Sequence, residues 1–312
     1  MREFRGGGVS TRVHLVTGAG GLVGRAVAAQ LRGRGDRVIG VDRVASGEGE
    51  ERIVDCDLRD THRLHQLASD PDLDSIIHCG AHSGPMVARD NPYDLVAVNV
   101  VGTANVLEVA RIRRLRRFVN CSSVSVYGST VAGPVTEDMS LHPSTVYGAT
   151  KLAAEHLVTA YAREHRLDTV SLRLSWVYGP NRTTICLLRR MVVDAIERRP
   201  TAVDWGAGFH RQYIHADDAA AALIAAVDAA SVDQRAYNIT GDTYQTLAET
   251  ADLVRRVLPQ ADIRLGEGND PGDDVQHRFD ITAAKRDLGY VPAVSLEQGI
   301  RRFAETIEAQ RQ

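Results

Sequence analysis

The chain has 312 residues, of which 44% are hydrophobic and 25% are charged, and its net charge is −3. These values are ordinary for a folded soluble protein, and the length suits one large α/β domain or two unequal lobes. Acidic and basic residues are mixed along the chain, which excludes a basic nucleic-acid-binding domain. The arginine run at 111–118 is interpreted as the end of a helix, where cations favour the helix dipole.

No apolar run reaches the roughly 18 residues that a membrane span requires. Residues 1–11 contain no hydrophobic segment and are predicted to be a flexible leader. The four cysteines lack the paired spacing of a zinc site or a redox dithiol, so we expect reduced thiols and no metal. These features predict a cytoplasmic protein that binds neither membrane nor nucleic acid. The cysteines are Cys56, Cys79, Cys121 and Cys186.

The first half of the chain alternates short apolar strands with helices. Strands rich in β-branched residues and separated by helices are typical of a parallel sheet that is covered on both faces. Residues 12–180 are therefore predicted to form an α/β domain with a doubly wound parallel sheet. The predicted strands are 12–18, 36–42, 51–58, 74–81, 116–123 and 168–175, and the predicted helices are 22–35, 61–68, 93–110 and one that contains Tyr147.

After about residue 180 this alternation ends. We expect residues 181–312 to form a smaller mixed α/β lobe, packed on the edge of the sheet as part of one compact unit, that binds the substrate. Helices are predicted at 184–198, 217–229, 246–257 and 296–309, strands at 211–218 and 235–240, and a polar loop at 266–274.

The first strand runs directly into "TGAGGLVG" (17–24), a glycine-rich turn that opens a helix. Glycine permits a tight turn and lets backbone N–H groups approach a pyrophosphate at the helix N-terminus. The second strand ends at Asp42, the spacing of a carboxylate that binds the ribose 2′-hydroxyl. That carboxylate would repel a 2′-phosphate, so NAD is favoured over NADP, although Arg43 follows it. The predicted cofactor contacts here are Gly18, Gly20, Gly21, Leu22, Val23, Gly24, Asp42 and Arg43.

A second motif, "VYGATK" (146–151), places Tyr147 and Lys151 four residues apart. Positions i and i+4 share one face of a helix, so the ammonium can lie beside the phenol. A nearby cation favours the phenolate, which suits a proton-transfer catalyst. Taken alone, the same spacing also describes an ordinary helix with one surface lysine.

Taken together in chain order, these motifs resemble the extended short-chain dehydrogenase/reductase family, in its NAD-dependent epimerase/dehydratase branch, over roughly residues 12–305. That family has a Rossmann fold. The matching segments are "TGAGGLVG" (17–24), "DCDL" (55–58), "IIHCGA" (76–81), "NVVGTANVLE" (99–108), "CSSVSVYG" (121–128), "YGATK" (147–151), "RLSWVYGP" (173–180), "RQYIHADDAA" (211–220) and "KRDLGYVPAVSLEQGI" (285–300).

The resemblance implies that Ser123, Tyr147 and Lys151 are the catalytic residues. Lys151 would bind the nicotinamide ribose, Tyr147 would exchange a proton with a substrate oxygen, and Ser123 would hydrogen-bond that oxygen. It also implies further cofactor contacts, which are Asp57, Leu58, Cys79, Gly80, Ala81, Asn99, Tyr147, Lys151 and Val177.

The expected activity is that of an NAD-dependent oxidoreductase or epimerase acting on a sugar, a sugar acid or a nucleotide sugar. Two alternatives stay open: a dehydrogenase of a compact sugar acid or polyol that releases NADH, and a non-catalytic NAD-binding sensor. Dehydratase members carry an acid just after the catalytic serine. This chain has Val124 and Ser125 there, which disfavours acid-assisted loss of water.

Positions that contact a diphosphate in nucleotide-sugar enzymes differ here. Trp176 replaces an asparagine, Met86 replaces an arginine, and "NDPGDD" (269–274) lacks the first arginine of an R-P-G-D pattern. A buried diphosphate needs paired cations or N–H donors. The loop "HSGPM" (82–86) could instead receive a compact sugar acid, facing His82 or Arg182. The predicted substrate contacts are Ser83, Gly84, Ser123, Ser125, Trp176, Arg182 and Arg211.

The resemblance also implies a homodimer that pairs the helix after Asn91 with the Tyr147 helix. Apolar stripes at Val96, Val100, 105–110 and 152–158 suit such an interface. The same stripes could equally pack on the sheet.

Overall fold

The structure is a computed structural model that describes residues 11–184 and 186–310, so the predicted leader lies outside the described residues except for Thr11. Its centre is a parallel seven-stranded sheet with the order β11-β6-β5-β4-β1-β2-β3. These strands are Val13–Thr17 (β1), Arg37–Asp42 (β2), Ile53–Asp55 (β3), Leu73–His78 (β4), Arg117–Ser123 (β5), Thr169–Leu174 (β6) and Ala236–Ile239 (β11).

Helices cover both faces of this sheet, because the buried strands are apolar on both sides. On one face, Val27 and Leu31 pack with Leu223 of a later helix. On the other, Val106 and Val158 join the core. The Rossmann-like, doubly wound fold is thus confirmed. The helices are Leu22–Gly33 (α1), Thr61–Leu67 (α2), Pro92–Val96 (α3), Gly102–Arg113 (α4), Val146–His165 (α5), Leu187–Ile196 (α6), Ala216–Asp228 (α7), Leu247–Val257 (α8), Thr282–Leu288 (α9) and Leu296–Ala309 (α10).

A one-turn π-helical segment, Ala97–Val101, joins α3 to α4 in one continuous helix. This helix, Pro92–Arg113, is long and apolar enough to cross a membrane by length and composition, with a mean hydropathy of 1.5. Half of its most apolar stretch is buried inside the protein. It serves here as a core helix that packs against α5 and the sheet.

The second half of the chain surrounds a separate apolar core, in which Leu188, Val254 and Phe303 from α6, α8 and α10 meet. The sequence did not predict its strands β8 and β13, which pair in parallel, or the helix α9. Strand β11 also comes from this half, yet it extends the central sheet beside β6. The division at residue 180 therefore stays a prediction. The remaining strands are Trp176–Tyr178 (β7), Thr201–Gly206 (β8), His210–Arg211 (β9), Tyr213–His215 (β10), Gln245–Thr246 (β12) and Ile263–Gly266 (β13).

Candidate active site

A cavity of about 660 Å³ opens at the carboxyl ends of the central strands. The chain order reverses between β1 and β4 at this edge, which is where ligands bind in open α/β sheets. The volume lies in the range of ligand pockets, roughly 300–1,000 Å³. All predicted site residues line this cavity except Asn99 and Arg211.

The glycine turn forms the floor of one end. Gly18 has a φ of +66°, and a Cβ there would lie 2.7 Å from the backbone of Cys79 and Gly80. A Cβ on Gly24 would lie 2.1 Å from the carbonyl oxygen of Gly18. Both positions therefore require glycine. Helix α1 begins after Gly21 without a side-chain cap, and its first residues line the cavity, where the free N–H groups of a helix N-terminus can bind an anion such as a pyrophosphate.

Asp42 stands beside this turn at the end of β2. Its Oδ2 accepts a hydrogen bond from the Gly20 N–H at 2.9 Å, and its Oδ1 accepts one from the Arg43 N–H at 2.7 Å. These bonds hold the carboxylate in place, and it makes no ion pair with any described residue. A fixed, unneutralised carboxylate suits the diol of an unphosphorylated ribose, as the sequence predicted.

Asp57 lies farther along the wall, with its carboxylate already occupied. Arg59 donates to both of its oxygens, and this hydrogen bonding lowers the pKa of Asp57 to about 2. Arg59 also pairs with Asp94, whose other oxygen lies 2.7 Å from His82 Nε2. The adenine contact of Asp57 stays a prediction. The His82 imidazole is held by its hydrogen bond to Asp94.

Asn99 lies behind the wall and shapes the loop that follows β4. Its Oδ1 accepts from the His82 N–H at 2.8 Å, and its Nδ2 donates to the His82 carbonyl at 3.1 Å. The same Nδ2 reaches Thr150 Oγ1 on α5 at 3.0 Å. Asn99 therefore ties the cavity loop to the helix that carries Tyr147.

Tyr147 and Lys151 both face the cavity from the first turns of α5 and are 6% and 7% exposed. The helix begins here because Thr145 caps it, accepting from the Gly148 N–H at 3.1 Å. Lys151 Nζ lies 5.9 Å from the centre of the Tyr147 ring and donates to the Cys121 carbonyl at 2.8 Å. The structure thus places the ammonium beside the phenol.

Ser123 ends β5 on the same cavity wall. Its Oγ accepts from the Ser125 N–H at 3.2 Å and donates to Ser125 Oγ at 3.1 Å. Both serines line the cavity. The hydroxyl of Ser123 is therefore oriented by the turn that follows the strand.

The two arginines predicted to contact substrate have opposite surroundings. Arg182 lines the cavity, makes no ion pair within the described ranges 11–184 and 186–310, and donates to the Val177 carbonyl at 2.5 Å. Arg211 lies outside the cavity, with its side chain 4% exposed, and is paired with Asp270 and Asp273. Arg182 therefore faces the main cavity and Arg211 does not, and the substrate contact of each stays a prediction.

Several wall residues were not predicted. Ser175, next to Trp176, has a buried hydroxyl without a hydrogen-bond partner among the described residues. Cys121 borders Cys79 from the adjacent strand, and the hydrogen bond that the Cys79 thiol donates to Cys121, together with burial, raises the pKa of that thiol. One signal could have found Ser175, since it directly follows a strand of the parallel sheet. Other cavity-lining residues that the sequence analysis did not predict include Arg25, Ser46, Asn181, Thr183 and Thr184.

Within the part of the chain that the structure describes, no group of three or more His, Cys, Asp or Glu side chains could hold a metal ion. The polar groups that line the cavity include hydroxyls, one lysine and several arginines, together with the carboxylates of Asp42 and Asp57. This set can bind a polyhydroxylated ligand and transfer protons.

Comparison with known proteins agrees with this geometry. The model of the NAD dependent epimerase/dehydratase family matches residues 14–240. The chain is 28% identical over 326 residues to dTDP-glucose 4,6-dehydratase of Neisseria gonorrhoeae, covering 93% of this chain and 94% of that protein. It is 29% identical over 312 residues to UDP-glucose 4-epimerase of Mycolicibacterium smegmatis, covering 94% and 97%.

Among solved structures, UDP-glucuronic acid 4-epimerase from Bacillus cereus, in complex with UDP-glucuronic acid and NAD, is similar to this chain. Its TM-score is 0.84 at 25% identity, and the match covers 96% of this chain and 99% of that one.

Proposed function

The chain belongs to the NAD-dependent epimerase/dehydratase family, and on this premise we propose that it oxidises a hydroxyl-bearing carbon of a sugar-type substrate by proton transfer to Tyr147. The observation that carries the proposal is the position of the Lys151 ammonium, 5.9 Å from the Tyr147 ring on the wall of the cavity. Enzymatic activity and the use of NAD follow from the family. The substrate and the residue roles are the proposed part.

The residues present fit NAD. The glycine turn leaves space above the N-terminus of α1 that any Cβ on Gly18 or Gly24 would close. The carboxylate of Asp42 is fixed beside it for a ribose diol. When bound, NAD supplies a hydride acceptor that can also return the hydride. Lys151 also lines the cavity, 5.9 Å from the Tyr147 ring, and would hold the second ribose of NAD.

Tyr147 takes the proton from the substrate hydroxyl in this proposal. A free tyrosine is a weak base near neutral pH, and a neighbouring ammonium stabilises the phenolate that proton transfer requires. Lys151 is held for this purpose by the Cys121 carbonyl at 2.8 Å, so its charge stays close to the phenol. Lys151 would therefore both support the base and hold the ribose hydroxyls of NAD.

Ser123 positions the reacting oxygen. Its hydroxyl is oriented by Ser125 and can donate to the substrate oxygen once a ligand displaces the 3.1 Å bond between the two serines. Val124 and Ser125 supply no carboxylic acid beside it, so the site favours oxidation or epimerisation over loss of water.

Purified protein with NAD and a panel of sugar acids, free sugars and nucleotide sugars tests the proposal. Absorbance of NADH detects a net dehydrogenase, and NMR detects an inverted stereocentre. We expect Tyr147→Phe to lose roughly 10²- to 10⁴-fold in turnover, the usual contribution of a positioned proton-transfer group.

Tyr161→Phe is the matched control, because Tyr161 lies on the same helix but bonds to Glu108, away from the cavity. Its turnover should equal that of the wild type. Full turnover by Tyr147→Phe would refute the proton-transfer role. A protein that binds NAD yet converts no member of the panel would instead be the sensor of the alternative hypothesis.

A further inference from the structure

We propose that the substrate is a compact sugar acid without a nucleotide diphosphate, and that its carboxylate binds Arg182. This inference rests on the proposed function, because it names the substrate class of the same site. It is carried by the contrast between Arg211, which is paired with two carboxylates, and Arg182, which has no carboxylate partner among the described residues.

Arg211 is enclosed by its own protein. Its Nη2 donates to Asp270 Oδ2 at 2.5 Å and to Asp273 Oδ2 at 3.0 Å, and its Nε donates to Asp273 Oδ2 at 3.2 Å. Its guanidinium carbon lies 4.0 Å from the centre of the Trp176 ring and 5.5 Å from that of Phe209. Two carboxylates thus take the Nη2 and Nε groups of Arg211, and the Trp176 ring covers a face of its guanidinium.

The sequence reinforces this charge balance. Where the R-P-G-D pattern of nucleotide-sugar enzymes has its arginine, this chain has Asp270 in D-P-G-D (270–273). One cation facing two carboxylates leaves a net negative charge at this position. An approaching diphosphate would meet like charge and would have to compete with both carboxylates for Arg211, which is an effective means of excluding a ligand.

The space beside Arg211 is also filled. The cavity that borders Arg211, Trp176 and Asp273 has a volume of about 10 Å³. That is about enough for one water molecule and far too small for a nucleotide. The main cavity of about 660 Å³ extends instead toward Ser123 and Arg182.

Arg182 has the opposite character. It lines the main cavity near Trp176, no carboxylate of the described residues pairs with it, and its buried Nε lacks a hydrogen-bond partner there. An unpaired guanidinium favours a carboxylate, which it can bind through two parallel hydrogen bonds. The neighbouring Asn181, Thr183 and Thr184 add amide and hydroxyl groups that suit a polyol chain.

Thermal unfolding in the presence of saturating NAD tests the inference with one matched pair, D-glucuronate and UDP-glucuronate. We expect free hexuronates to raise the Tm of the wild type, and UDP, dTDP and UDP-glucuronate to leave it unchanged. Arg182→Gln should weaken hexuronate binding about tenfold to a hundredfold, the effect of losing a charged hydrogen bond. A wild type that UDP-glucuronate stabilises more than glucuronate overturns the inference, as does one that no sugar acid stabilises.

Releasing Arg211 should reverse the selectivity. The double variant Asp270→Ala with Asp273→Ala removes both carboxylates and also opens space beside Arg211, and it is expected to gain a Tm increase with UDP that the wild type lacks. Asp274→Ala is the control, because Asp274 bonds to Ser129 and Ser144 and not to Arg211. A folded double variant that still ignores UDP contradicts the charge argument, and the wild-type measurements decide the question if the variant does not fold.

Binding and turnover separate this inference from the proposed function. Tyr147→Phe should keep hexuronate binding while it loses turnover. If hexuronates bind but Tyr147→Phe turns over normally, only the proton-transfer role fails. If Tyr147 is essential but the substrates that are converted carry a nucleotide, only the substrate class fails.

Discussion

Lys151 Nζ donates to the Cys121 carbonyl at 2.8 Å while it lies 5.9 Å from the centre of the Tyr147 ring. A carbonyl on the central sheet thus fixes the cation that faces a phenol on the helix. Both side chains are nearly buried, so the charge is poorly screened by solvent.

Replacing this cation should impair both cofactor binding and turnover. We expect Lys151→Met to lower kcat/KM by roughly 10²- to 10³-fold, the effect of removing one positioned donor, and to weaken NAD binding. The exposed Lys285 on α9 provides the control variant Lys285→Met. Steady-state kinetics and NAD titration measure the two effects, and unchanged kinetics in Lys151→Met would contradict the assignment.

The glycine turn makes a second prediction. Gly24→Ala would place a Cβ 2.1 Å from the Gly18 carbonyl oxygen, so the turn must move and NAD should bind at least about tenfold more weakly. Gly33→Ala, at the other end of α1, meets no atom within 4 Å and should keep normal NAD affinity with equal or slightly higher stability. Calorimetric titration with NAD measures both, and equal affinities would disprove the steric argument.

Acid sensitivity should arise in part from His78. Burial lowers the pKa of His78 to about 3 from its ordinary 6.5, and the charge of Lys151 acts in the same direction. Between these pH values the unfolded chain binds a proton that the folded protein does not. The free energy of unfolding should therefore fall as the pH drops below about 6.5, by up to about 1.4 kcal/mol per pH unit, and the contribution is fully present above it.

Urea unfolding of the wild type and His78→Gln at pH 7, 6 and 5 measures this effect. The variant lacks the titrating group, so its stability should fall less steeply with acid. His62→Gln, at an exposed position on α2, controls for the substitution itself. Parallel stability curves for wild type and His78→Gln would show that the buried imidazole contributes nothing.

A buried ion pair lies one helical turn beyond Lys151. Arg173 donates to Glu155 at 2.8 Å, with side-chain exposures of 5% and 7%, and Ser122 donates to the same carboxylate at 2.5 Å. Glu155→Ala leaves a buried guanidinium unpaired and should cost about 3–5 kcal/mol of unfolding free energy. Glu164→Ala, on the exposed end of the same helix, should change it by less than about 0.5 kcal/mol in urea unfolding. A similar small loss for both variants would contradict this.

The homodimer stays a prediction, as does the cytoplasmic location. Tyr93, Val96 and Val101 are 82%, 42% and 51% exposed along the helix that the sequence assigned to the interface. We expect light scattering to give twice the chain mass of 34.0 kDa, and Val96→Glu with Val101→Glu to give the single mass. A wild-type mass of one chain at micromolar concentration would exclude the dimer. Ile112→Glu, also at an exposed apolar position, tests how far such a face extends.

Local sequence patterns predicted most of the elements and candidate cofactor contacts in the N-terminal α/β part of the chain. The glycines at 18 and 24 and the acid at 42 follow from the geometry of a strand, a turn and a helix, so spacing alone placed them. The ion pairing of Arg211 could not be predicted, because its partners Asp270 and Asp273 lie about 60 residues away in the sequence and no local signal pairs them.

The missed strands have a similar cause. Residues 201–206 include Asp204 and Gly206, and four of these six positions are not buried, so no clear apolar pattern marks β8. In the sequence, its partner β13 is separated from it by several elements, including α7, β11 and α8. Parallel pairing over such a separation is a property of the whole fold and leaves no short-range signal.

The seventh strand of the sheet has a consequence for cutting the chain. Because β11 at residues 236–239 covers the side of β6, a fragment that stops at residue 180 would present the backbone groups of 169–174 to solvent. An exposed apolar edge strand forms hydrogen bonds with strands of other chains. Such a fragment would therefore tend to aggregate instead of folding as an isolated cofactor-binding domain. The ribosome must deliver the chain beyond position 239 before this edge can be shielded.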